Sequence, residues 1–495
     1  MTKKVDSIVV GAGAGGLAMA LFLAQAGKKT IVIEKARHPG GALGSFKNGG
    51  FNLDAGFHFT GGLQEGGIFD SLLKLFNVRE MIEPIFLNPD AANIFHFSAS
   101  DKTFEFPYGI DNIIKKLQSD FPGENIAIEK YFATVQSICD QTPTLNVDSL
   151  YANPKPIKED YITLQEFLDS LTDNRLLKEV LNTLVMCHGS APSEISMANN
   201  SRLCQGFYEN ICTLSGGGAS LVNAFMKQLY DYGVEIISSD QIVEMTDIKD
   251  KKVSRFVLRS GIELESDICV FTIPPASIME ILPKENFPPA FFNRIETFEN
   301  TPGFFTIFAE ITPDTPLVCE GSITSLYPVD DINALALPGW QGPGALAMMH
   351  SKSGSSNILT AFEPIYWEQV KKWENSATGA RPEDYGQWKK DKTNEILNRI
   401  TDYFPSYRGK LNLITSSTPL TYRDYLYHHH GAAYGIKQKV NQFNLFGQLR
   451  LRNLYVAGQS AILPGVLGTI MASLLLGRNI IGQAKFKDFL RKYAE

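Results

Sequence analysis

The chain opens on a β-branched run, "VDSIVV" (5–10), apolar enough to read as a strand buried on both faces. Leu17, Ala20, Leu21 and Leu23 then recur at helical spacing, and "KTIVIEK" (29–35) predicts a second strand ending at Glu34. A similar alternation of helix and strand returns in "LSGGGASLVNAFMKQLYDYGVEIISSDQIVEM". This reads as a glycine cluster (Gly216 to Gly218), an amphipathic helix, a strand "VEII" and a further strand around Ile242. "SRFVLRSGIELESDICVFTIPP" predicts a hairpin-like pair of strands running to Pro274 and Pro275. Near the C-terminus, "LRNLYVAGQSAILPGVLGTIMASLLLGRNIIG" predicts a buried strand ending at Gly458, a loop, and a helix from about Val466. Two long insertions remain. The first, 71–199, carries helical patterns such as "GIDNIIKKLQSDF" and "LQEFLDSL"; the second, 286–414, alternates as strands in "GFFTIFAEI", "GALAMMHS" and "NILTAFEPI". It closes on an amphipathic helix marked by Ile396, Leu397, Ile400 and Tyr403, preceded by "ENSATGARPEDYG", an expected exposed loop.

The turn between the first strand and helix is a G-x-G-x-x-G, at Gly11, Gly13 and Gly16. Its context, strand before and helix after, makes it a dinucleotide cradle. The first glycine permits the tight turn, the second lets backbone approach a diphosphate, and the third lets helix pack on strand. Glu34, at the second strand's end, has the spacing of a carboxylate that accepts hydrogen bonds from a ribose diol and repels a 2′-phosphate. NADP is therefore disfavoured, while NAD and FAD both remain open.

Composition narrows the classes. With 495 residues the chain should form two or three compact units around a large core. A net charge of −7 and the lack of any basic run exclude nucleic acid as an expected partner. Six cysteines without a C-x-x-C suit reduced thiols in a cytoplasmic protein, not a disulfide frame or a zinc site. No secretory leader is expected, since the first apolar run is the nucleotide strand itself. "AILPGVLGTIMASLLLG" is the longest apolar stretch, and Pro464, Gly465 and Gly468 interrupt it too often for a membrane span. Aromatic residues make up 11% of the chain, 32 of them Phe, which tilts the reading towards an apolar cavity.

The choice between NAD and FAD turns on "EKARHPGGALGSFKNGGFNLDAGFHFTGG". A second glycine pair, Gly40 and Gly41, can fold backbone over a diphosphate already seated on the first turn, which a simple NAD domain does not need. With Ser45, Asp54, Gly56, Phe57, His58 and Gly61, the stretch resembles the flavoprotein superfamily of amine oxidases, phytoene desaturases, carotenoid isomerases and retinol saturases. Within it, D-x-G-x-H followed by an aromatic and a glycine is most similar to the isomerase and saturase branch. The resemblance implies FAD as cofactor, with Ala14, Gly15, Lys35 and Ala42 beside the glycines and Gly56 to His58 near the isoalloxazine. It also implies Ile242 at the adenine, and Gly458, Gln459, Val466, Leu467 and Gly468 approaching the flavin from the far end of the chain. The superfamily often has an acid at 459 and a basic residue after Gly41; Gln459 and Ala42 depart from both. The expected fold is α/β: a discontinuous Rossmann-like FAD domain from 1–70, 200–285 and 415–495, with an α+β substrate domain on a mostly antiparallel sheet from 71–199 and 286–414.

The resemblance further implies a hydrophobic substrate, a conjugated polyene or isoprenoid that is saturated, desaturated or isomerised, and hence a peripheral membrane contact. "YHHHGAAYG" matches a G-x-x-Y-G that lines the tunnel in that branch, making Tyr434, with His58, a catalytic candidate. His428, His429 and His430 are not expected to hold a metal, because consecutive side chains of a strand or helix point apart. One nucleotide fingerprint leaves the electron donor or acceptor external. The alternatives are an amine-oxidase-type enzyme and a non-catalytic lipid escort on the same fold; the intact glycine set opposes the escort.

Overall fold

In the computed structural model, which describes residues 2–493, the first apolar run becomes β1 (Lys3–Val10) and the second β2 (Thr30–Glu34). They run parallel, Ser7 opposite Thr30 and Val10 opposite Ile33, with α1 (Ala14–Gln25) crossing between them. Strand Glu263–Phe271 flanks β1 and Glu235–Ser238 flanks β2, both parallel. Strand Glu263–Phe271 divides its length. Its first half pairs antiparallel with Lys252–Leu258, and its last three residues pair parallel with Leu454–Val456. The carboxyl ends of the parallel strands thus lie together, where doubly wound sheets bind ligands.

α1 is apolar around its whole circumference because the sheet covers one side and helices Gly217–Asp231 and Gly465–Ile481 the other. Small residues let the helices meet. A Cβ at Gly477 would lie 2.3 Å from the Phe22 ring, and Ser473 Oγ donates to the Gly15 carbonyl at 2.8 Å. The two ends of the chain are therefore one packed unit.

A second sheet has seven strands, in the order Leu411–Ser417, Gly303–Ile311, Ser356–Ile365, Leu346–Ser353, Ile323–Tyr327, Asn93–Phe97, Lys102–Phe106. Every pairing is antiparallel except Ile323–Tyr327 with Asn93–Phe97, so both insertions contribute to one sheet. Strand Gly303–Ile311 is buried on both faces rather than alternating. Phe305, Ile307 and Ile311 meet helix Glu383–Tyr403, and Phe308 meets Phe46 and Phe51 of the hairpin Ser45–Asp54. Glu363 is buried in this sheet, with Lys392 Nζ at 2.6 Å, Arg399 Nη1 at 2.5 Å and the Gly344 N–H at 2.9 Å. After Leu411–Ser417 the chain stays with the second sheet through helix Pro419–Leu426, and rejoins the first at Gly447.

The expected loop 374–386 is only partly free: its last residues open helix Glu383–Tyr403, and Arg381 pairs with Asp424. Among the described residues no helix is long and apolar enough to cross a membrane, and all six cysteines are unpaired.

Candidate functional site

Each cradle glycine answers a different spatial demand. Gly11 has φ +100°, and a Cβ there would meet Ile273 at 2.8 Å and Thr272 at 2.9 Å. A Cβ on Gly16 would fall 1.8 Å from the Gly11 carbonyl oxygen, so this glycine closes helix onto turn. Gly13, at the helix N-cap, has open space where a Cβ would point. α1 has neither a side-chain cap nor an acid in its first turn, leaving its first N–H groups unpaired and aimed outward. That is an anion site by construction. Gly40 donates to the Ala12 carbonyl at 2.8 Å and, with Gly41, takes positive φ; a Cβ on Gly41 would lie 3.4 Å from Gly13 Cα, so the second loop packs against the first turn.

Glu34 is buried and ties both loops: Oε2 accepts from the Ala12 N–H at 2.6 Å and Oε1 from Ala36 at 2.7 Å. Burial pushes its pKa up while these hydrogen bonds pull it down. Each oxygen keeps a lone pair for a ligand. Ile242 is buried and lines the same cavity, whereas Val243 beside it is 47% exposed. The cavity, about 720 Å³, runs from Gly11 to Ala14, Gly15, Lys35 and Ala42, and on to Gln459, Gly465 and Val466. Helix Gly465–Ile481 presents a second uncapped N-terminus to it.

A smaller, mainly apolar cavity of about 180 Å³ holds Phe59, Phe207, Phe304, Phe362, Leu467 and Gly468. The two cavities share Ala42, Gly56, Phe57, His428, Ala433, Tyr434, Gly465 and Val466, so the groove at the glycine turn opens into an apolar chamber. His58 lines only the chamber; its ring lies flat on Phe362 at 5.1 Å and 12°. Burial lowers its pKa to about 4, so the imidazole is neutral at pH 7. Tyr434 lines both cavities, and burial holds its hydroxyl protonated far above the usual tyrosine range.

Some expected site residues lie elsewhere. Ser45 is exposed on the hairpin and lines neither cavity, because the two-residue alternation turns it outward. Gly16 and Gly458 shape the backbone behind the cavities: Gly458, at φ +98°, puts a would-be Cβ 3.0 Å from the Thr272 carbonyl. Gln459 spends its amide on the Ala433 carbonyl, at 2.6 Å, fixing the loop that carries Tyr434. Asp54 accepts from the Gly218 N–H at 3.1 Å and so docks the hairpin on helix Gly217–Asp231; burial raises its pKa to about 6.

The expectation that successive histidines diverge fails at His429 and His430. Their rings stack at 3.9 Å, because His430 takes φ +53° and turns its side chain back. Trp367 covers the other face of His430 at 4.8 Å, and the Asn300 amide lies 3.0 and 3.3 Å from the two Nδ1 atoms. No metal-holding cluster exists among the described residues. Sequence reasoning passed over Thr272, which donates to the Val10 and Gly11 carbonyls at 3.0 and 3.2 Å. Its place at the carboxyl end of a parallel strand was the available signal. Phe304 and Phe362 carried none, since partners across a sheet are fixed only by register.

Comparison with known proteins bears on this geometry. A family profile described as an NAD(P)-binding Rossmann-like domain matches residues 9–73. The all-trans-retinol 13,14-reductase of Rattus norvegicus is 22% identical over 98% of this chain and 87% of its own. The chloroplastic prolycopene isomerase of Daucus carota is 24% identical over 94% of this chain and 77% of its own. Among solved structures, an oxidoreductase from Methanosarcina mazei superposes with a TM-score of 0.65 at 15% identity, covering 95% of this chain and 99% of that one. Putrescine oxidase bound to putrescine gives 0.63 at 13% identity, over 97% and 100% of the chains. At such identities the structures speak for the fold alone.

Proposed function

As a member of the flavoprotein family of retinol saturases and carotenoid isomerases, the chain is, we propose, an FAD-dependent oxidoreductase acting on carbon–carbon bonds of a lipophilic polyene. The observation that carries this reading is the junction: a groove shaped for a dinucleotide opens, through Gly56, Phe57 and Tyr434, into an enclosed apolar chamber. The residues fit the cofactor. The uncapped start of α1 and the Gly40–Gly41 loop would hold the diphosphate, Glu34 the ribose diol, and the start of helix Gly465–Ile481 the flavin's electron-rich edge. FAD would exchange hydride or electrons with the substrate carbon, giving them in saturation and taking them in desaturation. The protein does the rest: Phe59, Phe207, Phe304 and Phe362 exclude water and align a conjugated chain, while Tyr434, kept protonated by burial, can donate a hydrogen bond from its hydroxyl.

An amine-oxidase reading fits less well. An ammonium substrate needs a carboxylate or open aromatic cage, yet the chamber's lining has no acid and includes Arg202. A lipid escort would not need an uncapped helix start kept clear by glycine.

The deciding experiment incubates anaerobic protein with candidate polyenes, once with oxidised and once with dithionite-reduced flavin, following flavin spectrum and product. Bleaching of oxidised flavin with longer conjugation identifies a desaturase. Oxidation of reduced flavin with loss of a double bond identifies a saturase, and turnover without net oxidation an isomerase. Reduction by amines but by no polyene would overturn the reading. Release of FAD from yellow purified protein on denaturation tests the cofactor directly. Because a polyene partitions into bilayers, the reading includes peripheral membrane contact; flotation with neutral and anionic liposomes tests it, and absence from both counts against a bilayer-resident substrate.

A further inference from the structure

Tyr434 faces both cavities, yet nothing in the protein holds it by its polar end. Among the described residues its hydroxyl has no hydrogen-bond partner; only burial and the neighbouring Cys187 and Tyr422 act on its protonation. The ring's place is therefore set by packing and by its backbone. It packs against Phe304 at 6.1 Å and against Gly189, where a Cβ would come within 3.4 Å of the ring. The backbone is tied on two sides. Towards the second sheet, the Ala433 N–H donates to the Pro302 carbonyl at 3.0 Å and the Tyr434 N–H to Thr301 Oγ1 at 3.0 Å. The Thr301 N–H returns a bond to the Gly435 carbonyl at 2.8 Å, and strand Gly303–Ile311 follows at once. Towards the cofactor groove, Gln459 Nε2 donates to the Ala433 carbonyl at 2.6 Å, and Ser460 Oγ accepts from the Ile436 N–H at 3.3 Å. Gln459 and Ser460 come just after the parallel strand Leu454–Val456 and line the groove, at the sheet edge where ligands bind.

We infer that Gln459 is a positioning residue, a side chain that registers Tyr434 against the cofactor groove, and that the role requires an amide. The inference rests on the flavin reading above and adds to it. An amide carries donors on one arm and an acceptor on the other. Only the nitrogen can face a carbonyl oxygen, so the orientation of this amide follows from its partner. Its Oε1 has no hydrogen-bond partner among the described residues and is left for a hydroxyl in the groove that Gln459 lines. One side chain thus reads the groove with one arm and holds the Tyr434 loop with the other. A carboxylate at 459 could serve a hydroxyl equally well. Against the Ala433 carbonyl it would set acceptor to acceptor at 2.6 Å, and the loop would have to move. Thr301 and Pro302 would then hold the loop along one edge, with the longer Ser460 contact alone on the other. Tyr434 would drift from the groove while the fold and the cradle glycines stayed as they are.

The first test needs no substrate. The N–H groups of Ala433, Tyr434 and Ile436 are all bonded within these ties, so hydrogen exchange of a peptide spanning 432–436 reports opening of the loop. Gln459→Glu, as apo-protein and with FAD added, should exchange there about three- to tenfold faster than wild type, the scale of one neutral hydrogen bond. A peptide spanning 14–25, in α1, should keep wild-type protection. Gln459→Leu has no donor and adds no charge; it should open the loop as well, and it stands in should the Glu variant not fold. The second test is a double-mutant cycle on FAD-loaded protein turning over a polyene. Tyr434→Phe should lower kcat in the wild-type background and change it little beside Gln459→Glu, where the hydroxyl is already displaced. Wild-type exchange at 432–436 in both Gln459 variants overturns the inference. So does a Tyr434→Phe loss of equal size in the two backgrounds, or no loss in either. Should no polyene turn over, the functional reading fails, and exchange in the apo-protein still decides whether Gln459 holds the loop.

Discussion

Among the cradle glycines, spatial demand separates ligand binding from folding. Gly13 sits at φ −74° with nothing where its Cβ would go, so Gly13→Val should fold with a melting temperature near that of wild-type apo-protein yet purify colourless. Gly16→Ala meets backbone at 1.8 Å and should lose folded protein instead, measured by circular dichroism and soluble yield. Full FAD content in folded Gly13→Val would falsify the cradle assignment. Asp54 offers a pH test. Its folded-state pKa, about 6, lies above the unfolded value of 3.8, so the folded protein binds more protons between those limits. Stability from this group is complete below pH 3.8 and falls as pH rises through 6, by on the order of 2–3 kcal/mol in total. Asp54→Asn can still accept from Gly218 and should abolish this fall, seen as a urea midpoint that no longer declines between pH 4 and 7.

At the scale of elements, helix Glu383–Tyr403 is held to the second sheet by apolar contacts and by the buried Glu363 with Lys392 and Arg399. Removing one side of such a cluster strands the other charges out of water. Glu363→Ala should therefore destabilise by roughly 3–5 kcal/mol, read from urea unfolding, while FAD affinity changes little because Glu363 lines neither cavity. The stacked pair His429–His430 illustrates how one dihedral redirects an element. Periodicity describes side chains on regular backbone, and a single residue at φ +53° steps outside it.

Across the whole molecule, the cofactor groove takes residues from distant stretches, among them those around Gly13, Ile242 and Gly465. Occupancy by FAD should stabilise them together. At a hundredfold excess over its dissociation constant the gain is about 2.7 kcal/mol, so added FAD should raise the melting temperature of apo-protein, and protease cleavage should slow at both chain ends alike. Gly13→Val should show neither response. Stabilisation confined to the N-terminal half would mean that the far helix takes no part in the site.

The sequence by itself determined the cradle, since strand, turn glycines, helix and acid lie within 25 residues of one another (Val10–Glu34) and their contacts are local. It likewise determined the parallel sheet's main strands and the helices that cover it, because periodicity reports burial of one continuous element. The chamber was not legible in this way. Its wall of Phe362, Phe304 and Tyr434 depends on the register of strands Gly303–Ile311 and Ser356–Ile365 and on a loop held by Gln459. Which pairs face each other there is decided by packing between residues far apart in the chain.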